Sequence, residues 1–213
     1  GVNKAEMFRF NPGKKLKLFP DKHPYFPRGC ADCKLNVKLA ANIPEKELCE
    51  VCKSIYRNID EVKAAKEKYL SYDDQKYDKI QFNDKDGGYL VIDKDRVAKA
   101  KNKTEKEKFT KEKQMCQNLI VQGHQIEMLA EISGKSSSDI IIDGKYADLK
   151  KTSSHNNIQK YAKHAVSSQS AELVIFEFTK ETKKIHKEIL ELQKNKIKGM
   201  YYFTGNEHLI YPI

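Results

Sequence analysis

Apolar positions in the C-terminal half fall into runs whose spacing switches between helical and extended. Phe109, Cys116, Leu119 and Ile120 share one helical face. Gly123 then offers a residue free to turn left-handed, where that helix should stop. Runs of β-forming residues predict strands at Gln125–Ile132, Asp139–Ile142 and Lys145–Lys150. Ile158, Tyr161, Ala162, Ala165 and Val166 follow the i, i+3, i+4, i+7, i+8 pattern, the strongest periodicity in the chain. Glu172–Phe178 reads as a strand buried on both faces. Thr182–Lys196 reads as a helix through Ile185, Ile189 and Leu192, with short strands at Met200–Phe203 and His208–Tyr211. The order predicted from Thr104 onward is α-β-β-β-α-β-α-β-β.

The N-terminal half has a different texture. Residues 1–29 are basic and carry Pro12, Pro20, Pro24 and Pro27 among Phe8, Phe10, Phe19, Tyr25 and Phe26, which suits an extended lead-in. Lys53–Leu70 has helical spacing at Ile55, Ile59, Val62 and Lys66. Tyr77–Phe82 and Tyr89–Ile92 flank the polar turn Asn83–Gly88 as a hairpin. Lys94–Lys108 is almost wholly charged, as in a linker or a solvated helix start. The expected organisation is a lead-in and cysteine unit over 1–70, a hairpin and charged linker over 71–103, and a C-terminal domain over 104–213. The hairpin is free to pack on that last domain.

Charge narrows the partners. The 213 residues carry a formal net charge of +10, which favours an anionic partner such as nucleic acid, although lysine-rich surfaces are also common in proteins without one. No run approaches the roughly 20 apolar residues of a membrane helix, and the N-terminus lacks a signal-peptide core. A cytoplasmic protein without membrane contact is expected. The chain opens on Gly1, so a longer parent polypeptide is also expected.

Two C-x2-C pairs, Cys30/Cys33 and Cys49/Cys52, are separated by fifteen residues. That spacing suits one tetrahedral structural zinc ion, each pair giving two thiolates; the alternative is two disulfides, which belong in an oxidising compartment. Four thiolates leave no open position for chemistry. His23 is a bystander, and Cys116 is expected to be a buried thiol on its helix.

The candidate chemistry lies in Ser138–Lys150. Asp143-Gly144 between β-formers is the preferred two-residue hairpin turn. It sets Ile142 opposite Lys145, Ile141 opposite Tyr146, Ile140 opposite Ala147 and Asp139 opposite Asp148. Facing side chains stand about 4.5 to 5.5 Å apart, so the two carboxylates repel unless a cation lies between them. Lys150 falls on the face of Asp148, because strand side chains alternate. A divalent ion, Mg2+ or Mn2+, with a lysine beside it is the arrangement that polarises a phosphate and activates water. An exposed hairpin end with solvated charges is the plainer alternative.

This segment resembles the PD-(D/E)xK phosphodiesterase superfamily over about Thr104–Phe178, with Asp139 matching the first acid and Asp148-Leu149-Lys150 the second motif. The resemblance implies an α/β (α+β) fold: a mixed sheet with an αβββαβ restriction-endonuclease-like core, here preceded by a small zinc-ribbon-like unit. Gly123-His124, Ser138-Asp139-Ile140, Ala147–Lys150, Gln169 and Val174-Ile175 are similar to the C-terminal nuclease domains of contact-dependent growth inhibition toxins, phage minor head proteins and other polymorphic toxins. That similarity implies cleavage of RNA, tRNA in particular, and neutralisation by a cognate immunity protein. Ser138 stands where the family often has proline, and Asp148 where it often has glutamate. The family often adds another acid; Glu131 is the first candidate, followed by Glu127 and Glu112. Gln169 is expected to face the site. Thr152, Ser154 and His155 are candidates for phosphate binding, with helix capping as their commoner use.

Two rivals stand beside this reading. A metal-independent barnase- or colicin-like RNase would draw on His124, His155, His164, His186 or His208. A non-catalytic zinc-containing module would only hold nucleic acid or a scaffold, and would have no use for facing carboxylates on a basic surface.

Overall fold

Asp143 and Gly144 have φ of 49° and 83°, the double left-handed conformation of a type I′ turn, and they set the register of the central hairpin. Ile142 pairs with Lys145, Ile141 with Tyr146 and Ile140 with Ala147, as the sequence predicts. The computed structural model describes residues 50–131 and 137–213, with side chains from Asp60 onward. By compactness the chain divides between Asp60 and Glu61, and the description below concerns the second unit.

The described helices and strands are α1 (Glu50–Ser71), β1 (Tyr77–Phe82), β2 (Tyr89–Asp93), α2 (Lys94–Lys99), α3 (Lys103–Ile120), β3 (Gln125–Met128), β4 (Ile140–Ile142), β5 (Lys145–Thr152), α4 (Ile158–Ser168), β6 (Leu173–Phe178), α5 (Lys183–Lys194), β7 (Gly199–Phe203) and β8 (Tyr211–Pro212). The strands form one eight-stranded sheet in sequence order. It is mixed: β2/β3, β5/β6 and β6/β7 are parallel, and the other pairs antiparallel. From α3 onward the order of elements is the one the hydrophobic pattern predicts.

Strand alternation gives the sheet two apolar faces. On one, Met115, Cys116, Leu119 and Ile120 of α3 meet Leu90, Ile126, Ile140, Ala147, Leu149 and Ile175. On the other, α4 and α5 bring Ile158, Ala162, Ala165, Ile185, Ile189 and Leu192 onto Val174, Phe176, Phe178 and Phe203. Cys116 is the buried thiol expected of it. Val166, expected on the stripe of α4, is 44% exposed, because the small contact face formed by Ile158, Ala162 and Ala165 leaves the i+8 position outside it.

The hairpin β1–β2 is part of this sheet, since β2 runs parallel to β3 from Tyr89↔Gln125 to Ile92↔Met128. The charged stretch after it forms α2 and the start of α3 instead of a linker. Asp93 caps α2, and Asn102 with Glu105 makes a reciprocal capping box for α3. The strand expected to reach Ile132 ends at Met128. Cys30, Cys33 and Cys49 lie outside the described residues, and Cys52 falls in the part of α1 where no side chain is described. Among the described residues no helix is long and apolar enough to cross a membrane.

Gly199 enters β7 where a Cβ would stand 1.9 Å from the Val174 carbonyl oxygen, a backbone atom that cannot yield without parting β6 from β7. Gly199→Ala is expected to cost about 2–3 kcal/mol, read as a lower urea midpoint. An unchanged midpoint would show that these strands are not so closely apposed.

Candidate active site

The site arises where β4 runs out. Its ladder with β5 begins at Ile140, so beyond Ala147 β5 pairs only with β6 among these neighbours. Asp139 has left the ladder: its N–H donates to the Ala147 carbonyl at 3.1 Å, and its own carbonyl accepts from Leu129 N–H at 3.0 Å. The facing pair Asp139/Asp148 expected from strict hairpin register is therefore not a ladder pair. Asp139 instead turns its side chain to the vacated edge of β5, where Oδ2 accepts from the Leu149 N–H at 2.9 Å. This still sets the Asp139 carboxylate beside that of Asp148.

Asp148 is fully buried, and neither of its oxygens has a hydrogen-bond partner. Lys150 Nζ stands 2.5 Å from Asp148 Oδ2, a close ion pair whose geometry is not that of a hydrogen bond. Burial and then the neighbouring Asp139 push the Asp148 carboxyl up to about 8, against the opposing pull of Lys150. Asp139 is also buried, which acts to raise it; the Asp148 carboxyl, the Leu149 N–H, Lys150 and Arg96 outweigh this and hold it below the usual carboxylate range. Two buried carboxylates side by side favour holding one proton between them while no cation lies there.

A cleft of about 440 Å3 opens beside Asp139 and Lys150, lined by Glu112, Leu149, Lys151, Tyr161 and Gln169 among others. Gln169 caps the C-terminus of α4, and its Oε1 is buried without a hydrogen-bond partner. Its backbone carbonyl accepts from Ser138 Oγ at 2.9 Å, which ties the residue before Asp139 to the end of α4.

Glu131 and Glu112, both candidates for the added acid, lie in different surroundings. Glu131 follows the end of β3, its side chain half exposed and 3.1 Å from Lys108. Glu112 is buried on α3 and lines the cleft; burial and the Asp139 charge raise it, while Arg96 and Lys108 pull the other way. Glu127 is engaged elsewhere, accepting from Tyr77 Oη at 2.8 Å and Tyr72 Oη at 3.4 Å. Thr152 Oγ1 accepts from the Ser154 N–H at 3.0 Å in the turn before α4, the local use of such a residue. His124 is bonded to Asp143 at 2.6 Å and His186 to Glu181 at 2.9 Å.

Sequence reasoning missed Arg96. This guanidinium is 4% exposed, bonded to Glu112, 3.5 Å from Glu131 and 3.8 Å from Asp139. Its only sequence signal is an arginine within a run that otherwise reads as solvated charge. Glu177, inside the apolar strand β6, is a second such case: it accepts from Tyr202 Oη at 3.0 Å and Thr204 Oγ1 at 2.7 Å, and pairs with Lys151 at 2.7 Å.

Among the described residues, no three or more His, Cys, Asp or Glu side chains converge as a ready-made metal cluster. What the site offers a cation is the Asp139/Asp148 pair and the orphaned oxygen of Gln169. Oxygen donors without partners fit a hard divalent ion such as Mg2+ or Mn2+. No family model and no curated protein matches the chain. Among solved structures it is similar to the CdiA-CT/CdiI toxin and immunity complex from Burkholderia pseudomallei, with 17% identity and a TM-score of 0.43 over 54% of this chain and 90% of that one.

The raised Asp148 carboxyl has a consequence for stability. Between the unfolded value of 3.8 and about 8, the folded chain holds a proton that the unfolded chain releases, so this group's contribution falls as pH rises through that window. Asp148→Asn keeps a neutral side chain in place. In divalent-free buffer the variant should gain on the wild type from pH 5 to pH 8.5, ending about 1–3 kcal/mol more stable by urea denaturation. Parallel pH profiles for the two proteins would exclude a protonated Asp148.

Proposed function

We propose that this chain is a divalent-metal-dependent endonuclease of the PD-(D/E)xK type that hydrolyses phosphodiester bonds, RNA in preference to DNA. The observation that carries this is the fully buried Asp148, lying beside Asp139 with Lys150 Nζ 2.5 Å from its Oδ2, at the uncovered edge of β5. The order α3-β3-β4-β5-α4-β6 supports the restriction-endonuclease-like core expected from the resemblance. Placing Asp148 and Lys150 on the strand neighbouring Asp139 agrees with that motif's arrangement.

The roles follow from the chemistry of the groups. Asp139 and Asp148 hold the ion, which when bound supplies Lewis-acid polarisation of the phosphate and activation of water. Lys150, at the cleft wall, stabilises negative charge on the attacked or departing oxygens. Lys108, Lys111 and Lys151 line the same cleft and suit phosphate contacts on either side of the scissile bond. Gln169 supplies an oxygen that can orient the ion or its water. A metal-independent RNase finds less support, because among the described residues no histidine lines the cleft.

On the same reading the chain is the toxin domain of a phage or polymorphic toxin protein, with tRNA as its preferred RNA and a cognate immunity protein as its partner. This follows the resemblance of its motifs. A structural zinc ion on Cys30, Cys33, Cys49 and Cys52 completes the proposal. Metal analysis of protein purified without chelator should return one zinc per chain; zinc-free protein would favour the disulfide alternative.

The deciding experiment is incubation with tRNA, single-stranded RNA and duplex DNA, with and without Mg2+ or Mn2+. Cleavage should require the ion. Asp148→Ala should lower it by about a thousandfold or more, as removal of a metal-holding acid does. Binding of uncut RNA should persist in that variant, because affinity comes from many lysine–phosphate contacts and falls steeply with salt. Cleavage that survives complete removal of free divalent ions, or an Asp148→Ala variant as active as wild type, would sink the proposal.

A further inference from the structure

Arg96 is enclosed by oxygen atoms from three parts of the fold. Its Nη2 bonds Glu112 Oε2 on α3 and lies 3.8 Å from Asp139 Oδ1 at the entry to β4. Its Nη1 donates to the Leu129 carbonyl at 3.3 Å and lies 3.5 Å from Glu131 Oε1, both just past β3. Two buried carboxylates, a half-exposed third and a backbone carbonyl are spread over the two ends of this guanidinium. Oxygens of this kind are what hard divalent cations also take, although these three acids do not by themselves converge as a metal cluster. Glu112, Asp139 and Arg96 are all buried. With no cation among them, Glu112 and Asp139 would be like charges held out of water, a costly arrangement.

We propose that the Arg96 guanidinium permanently fills the position of a second divalent cation, so that the site accepts a single ion, on its Asp148 side. This rests on the metal-dependent reading above and goes beyond it. Arginine stays charged at any pH the protein meets, and its planar fork engages several oxygens at once. It therefore neutralises Glu112 and Asp139 without metal, and by charge and volume excludes an ion from between them. The buried oxygens without an aligned hydrogen-bond donor are at Asp148, where Lys150 is the nearby cation, and at Gln169, and these are the oxygens left for a ligand. Arg96 acts through Asp139 and is a positioning residue. Because it comes from α2, the working site extends upstream of Thr104 to at least Arg96.

Mn2+ titration of the full chain, followed by calorimetry and electron paramagnetic resonance, tests this without reference to cleavage. Wild type should bind one magnetically isolated Mn2+, lost in Asp148→Asn. Arg96→Lys should still bind one. Arg96→Gln, which removes the charge and opens the cage, should gain a second ion and show a coupled Mn–Mn spectrum. Two ions in the wild type, both lost in Asp148→Asn, overturn the inference while leaving the nuclease reading intact, and so does a folded Arg96→Gln that still binds one. If Arg96→Gln fails to fold, the wild-type spectrum decides: an isolated ion supports the inference and a coupled pair overturns it. A wild type that binds no Mn2+ overturns this inference and the metal-dependent reading together.

Discussion

A carboxylate that is fully buried with no hydrogen-bond donor aligned to either oxygen is among the costlier features a domain can carry, and Asp148 has a second carboxylate, Asp139, beside it. The fold is arranged around containing this pair. The early end of β4 frees the Leu149 N–H to bond Asp139 and not a strand partner. The Ser138–Gln169 bond holds the chain entering β4 against the end of α4. The cations Lys150 and Arg96 offset part of the remaining repulsion.

These compensating charges come from separate places in the sequence. Lys150 lies two residues from Asp148 on the same strand, so strand alternation alone brings it near. Arg96 comes from a one-and-a-half-turn helix that is positioned only because β2 joins β3 in parallel. Glu112 is carried in by α3, whose apolar face is fixed by Met115, Cys116 and Leu119 one to two turns further on. The packing of α3 on the sheet thus decides which acid approaches Asp139.

The apolar faces on either side of the sheet explain why the site can tolerate this strain. Asp148 and Lys150 share a strand with Ala147 and Leu149, which are buried in the cluster under α3, and β5 is anchored further by its pairing with β6 from Ala147 to Thr152. The hairpin around Asp143-Gly144 is locked further by Asp143, whose side chain accepts from the Gln125 N–H at 2.9 Å. A rigid strand edge holding unpartnered oxygens is the kind of preorganised surface on which an ion or phosphate binds without first rearranging the backbone.

The local features were legible in the sequence because their causes are local. The Asp-Gly turn needs two left-handed residues, and only a few residue types supply them, so its position and three ladder pairs could be read directly. Helical spacing gave the buried faces of α3, α4 and α5 for the same reason. The site's wider charge network depended on tertiary structure. Glu131 is nearer Asp139 in sequence than Glu112 is, yet the chain turns Glu131 toward solvent after β3 while α3 carries Glu112 inward. Strict register put Asp139 opposite Asp148, but the ladder breaks one residue early. Arg96 sits in a run of charges that looks solvated, and only the parallel joining of β2 to β3 buries it. Residue type and spacing fix what a segment can do by itself; which charges meet in the interior is settled by how distant segments stack, and no local pattern encodes that.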